Sequence, residues 1–170
     1  MIEVRAAGPD DAAELVRLRG VLLTRTGGRA PAPGEWQRLA AQTLRERLAG
    51  PDTDATMAAY VVDAPDRPGA LVACAVGTIE SRLGGPENPS GRVGYLFNVA
   101  TDPGHRRRGY ARACVAELLS WYRRRDVRKI DLSATAEAEP LYRSLGFTRR
   151  SEPAMRLTSG RSDSGRSTAG

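Results

Sequence analysis

The chain is poor in the residues that hold metals and cross-links. Its 170 residues include two cysteines and one histidine. Cys74, in LVACAV, and Cys114, in ARACVAELL, lie far apart, each inside an apolar pattern. They read as buried free thiols, because a disulfide framework or a zinc site needs more cysteines at closer spacing. With a single histidine and no carboxylate cage, no metal is expected. Aromatic residues make up 5% of the chain, too few and too scattered to form a platform on which nucleic-acid bases stack. No window approaches the roughly 18 apolar residues that cross a bilayer, so no membrane partner is expected. The start, MIEVRAAGPDD, carries acids early and lacks a basic region followed by an apolar run. It does not read as a signal peptide, and the expected location is the cytoplasm.

What is present is ordinary for one folded domain: 41% apolar and 27% charged residues. Residues 1–157 are expected to form that domain. From Thr158 onward, TSGRSDSGRSTAG offers nothing apolar but Ala169, and residues 158–170 are expected to be a disordered polar tail. The formal net charge is +6. It favours a polyanionic partner, whether nucleic acid, anionic membrane or a phosphorylated cofactor.

Hydrophobic periodicity gives the element order. IEVRAA alternates as a short strand. Pro9-Asp10-Asp11 opens a helix, with Leu15, Leu18 and Leu22 at helical spacing and Val16 and Leu23 widening the stripe. TRTGGRAPAPG reads as loop. A second helix is expected over Glu35–Leu48, with Trp36, Leu39, Ala40, Leu44 and Leu48 facing inward. TMAAYVVDA, ALVACAVGTIESRL and RVGYLFNVAT form an antiparallel meander. A helix follows from about Arg107 to Arg124, with Ala111, Val115, Leu118, Leu119 and Tyr122 on its apolar face. RKIDLSAT reads as another strand. A short helix carries Leu141, Tyr142 and Leu145 and is closed by Gly146. FTRRSEPAMRL supplies one or two last strands. The fold class is α/β, mixed α+β, with helices on both faces of the sheet.

The most informative stretch is NVATDPGHRRRGYARACVAELL, residues 98–119. It reads as a strand end, a basic glycine-containing loop and a helix start. Unpaired N–H groups and the helix dipole make such a start an anion site, most often for phosphate. Gly109 and the small Ala111 allow close approach, and Arg106, Arg107, Arg108 and Arg112 add positive field. A basic, solvated first turn is the plain alternative. It is weakened because arginine at a helix N-terminus is unfavourable without an anion. No Gly-Lys-Ser/Thr follows, which excludes a Walker loop, and the dinucleotide fingerprint lacks its other glycines.

Arg106-x-x-Gly109-x-Ala111 matches the Arg/Gln-x-x-Gly-x-Gly/Ala signature of the GCN5-related N-acetyltransferases, the GNAT family. Asn98-Val99-Ala100-Thr101-x-Pro103 resembles the strand that ends at that loop. Pro140-Leu141-Tyr142-x-x-Leu145-Gly146-Phe147 is similar to the second signature, Leu-Tyr-x-x-x-Gly-Phe. Ala154-Met155-Arg156-Leu157 resembles the closing strand. The resemblance spans about residues 2–157. It implies a GNAT-like fold, a central, mostly antiparallel twisted sheet of six to seven strands with about four helices.

The resemblance also implies an acyl-CoA-dependent N-acyltransferase that uses acetyl-CoA. Backbone amides around Arg107 to Ala111, Tyr110 among them, would hold the coenzyme A pyrophosphate, and nearby arginines would meet phosphates. Asn98, Val99 and Ala100 would flank the pantetheine arm, beside a bulge that separates their strand from RKIDLSAT. Thr135 stands where many relatives carry an asparagine that contacts this arm. A hydroxyl replaces only part of an amide's hydrogen bonding.

Acyl transfer to an amine needs a neutral amine, a donor to the developing oxyanion and an acid for the leaving thiolate. By resemblance the Val99 N–H supplies the second and the Tyr142 phenol the third. Glu80, interrupting an apolar run near a strand end, is the candidate base; a solvated strand-end carboxylate is the plain reading. His105 sits in the phosphate turn and reads as filler. No cysteine has a catalytic setting, so direct attack in a ternary complex is expected. A non-catalytic acyl-CoA-binding domain of the same fold is one alternative. A basic nucleic-acid-binding protein is the other, supported only by charge. The acceptor, a small-molecule or peptide amine, is expected between the loops Arg25–Gly34 and Ser81–Arg92, with Trp36 as a wall residue or as core packing. Acyl length and oligomeric state are unreadable, a homodimer included.

Overall fold

The computed structural model describes residues 1–158. The tail expected from residue 158 onward lies, except for Thr158, outside the described residues. The first strand, β1, is short (Arg5–Ala6). Helices α1 (Ala12–Gly27) and α2 (Glu35–Leu48) follow. The meander is β2 (Met57–Asp63), β3 (Leu71–Ser81) and β4 (Arg92–Thr101). Helix α3 (Tyr110–Arg124), strand β5 (Lys129–Leu132) and helix α4 (Glu139–Arg143) complete the order. The sheet runs β1-β2-β3-β4-β5. The first three pairings are antiparallel and β4–β5 is parallel.

Both faces of the central strands are buried, which is why β2 and β3 read as continuous apolar runs. Met57, Ala59 and Val61 point with Cys74 and Val76 toward Leu15 and Leu18 of α1. Ala58, Tyr60 and Val62 point the other way, toward Cys114, Val115, Leu118 and Tyr122 of α3. Helix α4 adds Tyr142 to that second layer. Tyr122 passes under the sheet, and its hydroxyl lies 3.1 Å from both the Thr78 and Tyr95 carbonyl oxygens. A Cβ at Gly77 would stand 2.2 Å from that hydroxyl, and one at Gly94 2.7 Å from the ring, so only glycine fits at both. Both cysteines are free and buried.

Helix α1 runs further than its loop-like composition suggests. Thr24 and Thr26 donate to the Gly20 and Leu22 carbonyls, and the stop is Gly28 at φ 72°. Helix α2 has the expected bounds and packs chiefly on α1, with Leu44 and Leu48 also reaching the β2 side of the sheet. Ala41, with Trp36, Ala40 and Leu44, meets Ala12 and Val16, while Leu39 is 48% exposed.

The sheet has five strands, against the expected six to seven. The difference is FTRRSEPAMRL, which forms no strand among the described residues. Pro153 has no N–H for a ladder. Arg149 is drawn to Glu139 at 2.7 Å and Arg150 to Asp131 at 3.5 Å. Its apolar residues Met155 and Leu157 are each 94% exposed.

Candidate active site

The site begins with a change of register. Val76 pairs with Phe97, but Cys74 pairs with Ala100. Asn98 and Val99 therefore share one partner position on β3, the count that defines a bulge. Asn98 adopts φ 50° to make it. Its carbonyl accepts the Cys74 thiol at 3.2 Å, and burial pushes that thiol up to about 12. On the other side, β4 pairs with β5 only as far as Leu96 and Leu132. Val99 consequently has no ladder partner on either flank, and the two strands part where the resemblance calls for a slot.

Beyond the bulge the chain is anchored before it turns. Asp102, 7% exposed, accepts Arg17 of α1 at 2.6 Å and Arg67 of the β2–β3 turn at 3.1 Å. Burial alone would raise its carboxyl, but the two guanidiniums outweigh that and hold it below the ordinary range. The amide of Asp102 donates to the Val72 carbonyl at 2.8 Å.

The loop then runs through Arg107 at φ 64° and Gly109 at φ 84°. These two left-handed residues explain why α3 starts at Tyr110 rather than at Arg107. Gly109 is the N-cap and supplies no side-chain cap. The first helical bond is Ala113 N–H to the Gly109 carbonyl at 3.0 Å, which leaves the preceding amides pointing outward. Arg106, Arg107, Arg108 and Arg112 are exposed. None has a carboxylate within 4.0 Å among the described residues. A surplus of positive charge at the positive end of a dipole is the arrangement an anion relieves. The residues present therefore fit the pyrophosphate of a coenzyme A donor. Tyr110 packs inward, 6.3 Å from His105, and Ala111 is partly buried behind it.

Tyr142 is 7% exposed and meets the Phe147 ring edge-on at 5.8 Å. It borders a cavity of about 520 Å³ between β5 and residues 147–154, which Leu132 and Ser133 also line. Burial pushes its phenol up to about 12, so the proton stays on at neutral pH. Thr135 caps the turn into α4 and keeps its hydroxyl proton free to donate. Its hydroxyl and carbonyl both accept the Ala138 N–H, at 3.3 and 3.0 Å, and set up α4.

Glu80 is not brought to this point. It pairs in register with Val93, six residues along β4 from Val99, a separation on the order of 20 Å at the usual strand rise. Its carboxylate is taken by Arg82 at 2.8 Å. Glu80 therefore does not lie beside Val99. The Asn98 side chain also faces away from the slot, toward Cys74 at 3.9 Å and Arg19 at 3.4 Å.

Arg19 is a neighbour the pattern reading missed. The signal was available: it stands between Leu15, Val16 and Leu22, Leu23 on the apolar stripe of α1. Arg25 and Glu137 form a second unpredicted pair, joining the end of α1 to the loop before α4. Arg25 first, then Arg106 and Arg107, hold Glu137 below the usual carboxylate range.

The parting of β4 from the edge strand β5 beside a basic helix N-terminus fits an acyl-CoA-dependent transferase. Comparison with known proteins agrees. The family model described as acetyltransferase (GNAT) family matches residues 27–147. A predicted acetyltransferase from Clostridium acetobutylicum, crystallised with acetyl-CoA, superposes with a TM-score of 0.76 at 22% identity, covering 93% of this chain and 96% of that one. A GCN5-related N-acetyltransferase from Ralstonia eutropha JMP134 gives 0.74 at 24%, covering 92% and 99%. An aminoglycoside acetyltransferase from an uncultured soil metagenomic sample, in complex with sisomicin, gives 0.69 at 10%, covering 94% and 97%. Among curated proteins none matches in sequence. The chain belongs to the GNAT acetyltransferase family. It is an enzyme of that class, and the acyl donor of the family is acetyl-CoA. Among the described residues, no helix is long and apolar enough to cross a membrane.

Proposed function

We propose that the protein transfers an acetyl group from acetyl-CoA to a primary amine by direct attack within a ternary complex. The observation that carries this reading is the bulge at Asn98–Val99, set between parted strands and next to an arginine-rich helix start whose own first turn holds no acidic residue. Acetyl-CoA, when bound, supplies an activated acyl thioester. The amides of residues 107–111 hold its pyrophosphate, with Arg106, Arg107, Arg108 and Arg112 screening the charge. The Val99 N–H donates to the carbonyl oxygen as negative charge develops there. The Tyr142 hydroxyl, kept protonated by burial, gives its proton to the departing sulfur. The amine loses its own proton to water, since Glu80 stands too far away to take it directly.

Both cysteines support direct transfer: each is buried and each thiol is pushed up by that burial, the opposite of an activated nucleophile. A donor-binding domain without turnover is the second reading, favoured by the remoteness of Glu80. Calorimetric titration with acetyl-CoA, with coenzyme A and ATP as comparisons, tests the donor. A thiol-release assay over a panel of amines then separates the two readings. Stoichiometric acetyl-CoA binding with amine-dependent thiol release is the expected result. Binding without release selects the second reading, and no binding at modest salt removes both.

A further inference from the structure

Among the unassigned features of the molecule, Arg19 carries the most. It sits on the sheet-facing side of α1, half-buried. The neighbouring α1 arginines are paired, Arg17 with Glu14 and Asp102, and Arg25 with Glu137. Arg19 has no carboxylate within 4.0 Å among the described residues. A guanidinium has five N–H donors. Its one protein acceptor among those residues is the Asn98 side-chain oxygen, at a long 3.4 Å. A partly desolvated cation with unused donors is costly unless an anion meets it.

Two surroundings narrow that anion. First, Arg19 reaches the side chain of Asn98, which turns from the bulge toward α1, so the charge it binds lies on the α1 side of the strand that carries Val99. Second, Arg19 borders an open surface depression lined otherwise by Leu23, Pro31, Trp36, Leu39 and Ala40. The depression therefore offers one cation against an otherwise apolar lining. It also explains why Leu39 is exposed on a helix whose other apolar residues turn inward. A polycationic amine meets repulsion here, and a plain alkylamine leaves the guanidinium unpaired.

We infer that Arg19 selects the acceptor, and that the acceptor is a small amine bearing a carboxylate next to its amino group and an apolar side chain, the chemistry of an apolar or aromatic α-amino acid. The inference rests on the transferase reading. The carboxylate pairs with Arg19, the apolar side chain fills the space beside Trp36 and Leu23, and the short distance between amine and carboxylate matches the closeness of Arg19 to the bulge.

The test is calorimetric titration of the full chain with L-phenylalanine and with phenethylamine, which differ only in the carboxylate, in the presence and absence of coenzyme A. Phenylalanine is expected to bind at least about tenfold more tightly, the usual worth of a charge-assisted hydrogen bond. Arg19→Gln should remove that preference while leaving phenethylamine affinity and the melting temperature unchanged, and Arg19→Lys should restore part of it. Equal affinity for the two ligands, no binding of either, or an undiminished preference in Arg19→Gln overturns the inference. A parallel titration with coenzyme A alone reports on the transferase reading. Donor binding with no carboxylate preference sinks only the role of Arg19, whereas a preference without donor binding sinks the transferase reading and with it the assignment of the bound amino acid as acceptor.

Discussion

The two halves of β4 are built to opposite rules. From Arg92 to Phe97 the strand is paired with β3 and, as far as Leu96, with β5 too. Its side chains alternate between the two cores, and Gly94 is held against Tyr122. From Asn98 to Thr101 the second neighbour is gone, the register slips, and a non-glycine residue takes a positive φ. The first half spends its backbone on the ladder, whereas the second leaves backbone free for a ligand. The stable half and the reactive half are thus one continuous strand, and the rigidity of the first positions the second.

That contrast can be broken from either side. The largest effect is expected at the loop that the reactive half feeds. Gly109→Glu adds a charge and a side chain at φ 84°, and coenzyme A affinity measured by calorimetry should fall more than about 100-fold. Tyr142→Phe should lower kcat by about 10- to 100-fold with donor affinity and melting temperature unchanged, measured by thiol release. Gly94→Val belongs to the other half. It overpacks Tyr122 and should cost about 1–3 kcal/mol in denaturant unfolding, while the protein that remains folded still binds donor. A smaller effect is expected from pH. With the Tyr142 phenol pushed up to about 12, the rate should show no falling limb between pH about 8 and 10, where an ordinary tyrosine begins to ionise. The sign for stability is the same: the neutral phenol favours the fold fully below about pH 10, and that contribution is lost as pH rises toward 12. Smallest of all, Glu80→Gln should change kcat/KM by less than about twofold, as expected of a surface carboxylate remote from the chemistry.

Much of the stable half was legible. Continuous apolar runs gave β2 and β3, helical spacing gave α2 its bounds, and loop chemistry marked Gly109 as the turn into α3. Three things were hidden because they depend on what packs where. The end of α1 was obscured by threonines whose hydroxyls turned back onto the helix. The final strands were expected from two apolar residues that, beside Pro153 and a set of paired arginines, found no ladder. The distance from Glu80 to Val99 is a matter of sheet register, and register is set by tertiary packing. Arg19 differs from these. A charge on an apolar stripe was visible in the pattern, but its neighbour at the bulge was not.

The bulge has one more consequence. Strand side chains normally alternate, yet Leu96 faces α3 while Ala100, four places on, faces α1. The extra residue is a half-period phase shift: everything downstream on β4 is inverted relative to everything upstream. Deleting a single residue there would be a different event from substituting one. It would bring the strand back into phase, set Val99 opposite Ala75 with Ala100 still opposite Cys74, each on the face it now holds, and offer β4 a continuous rail for pairing along its whole length. The slot is thus encoded as a count of residues, and the shortest lesion that could erase it is the loss of one codon.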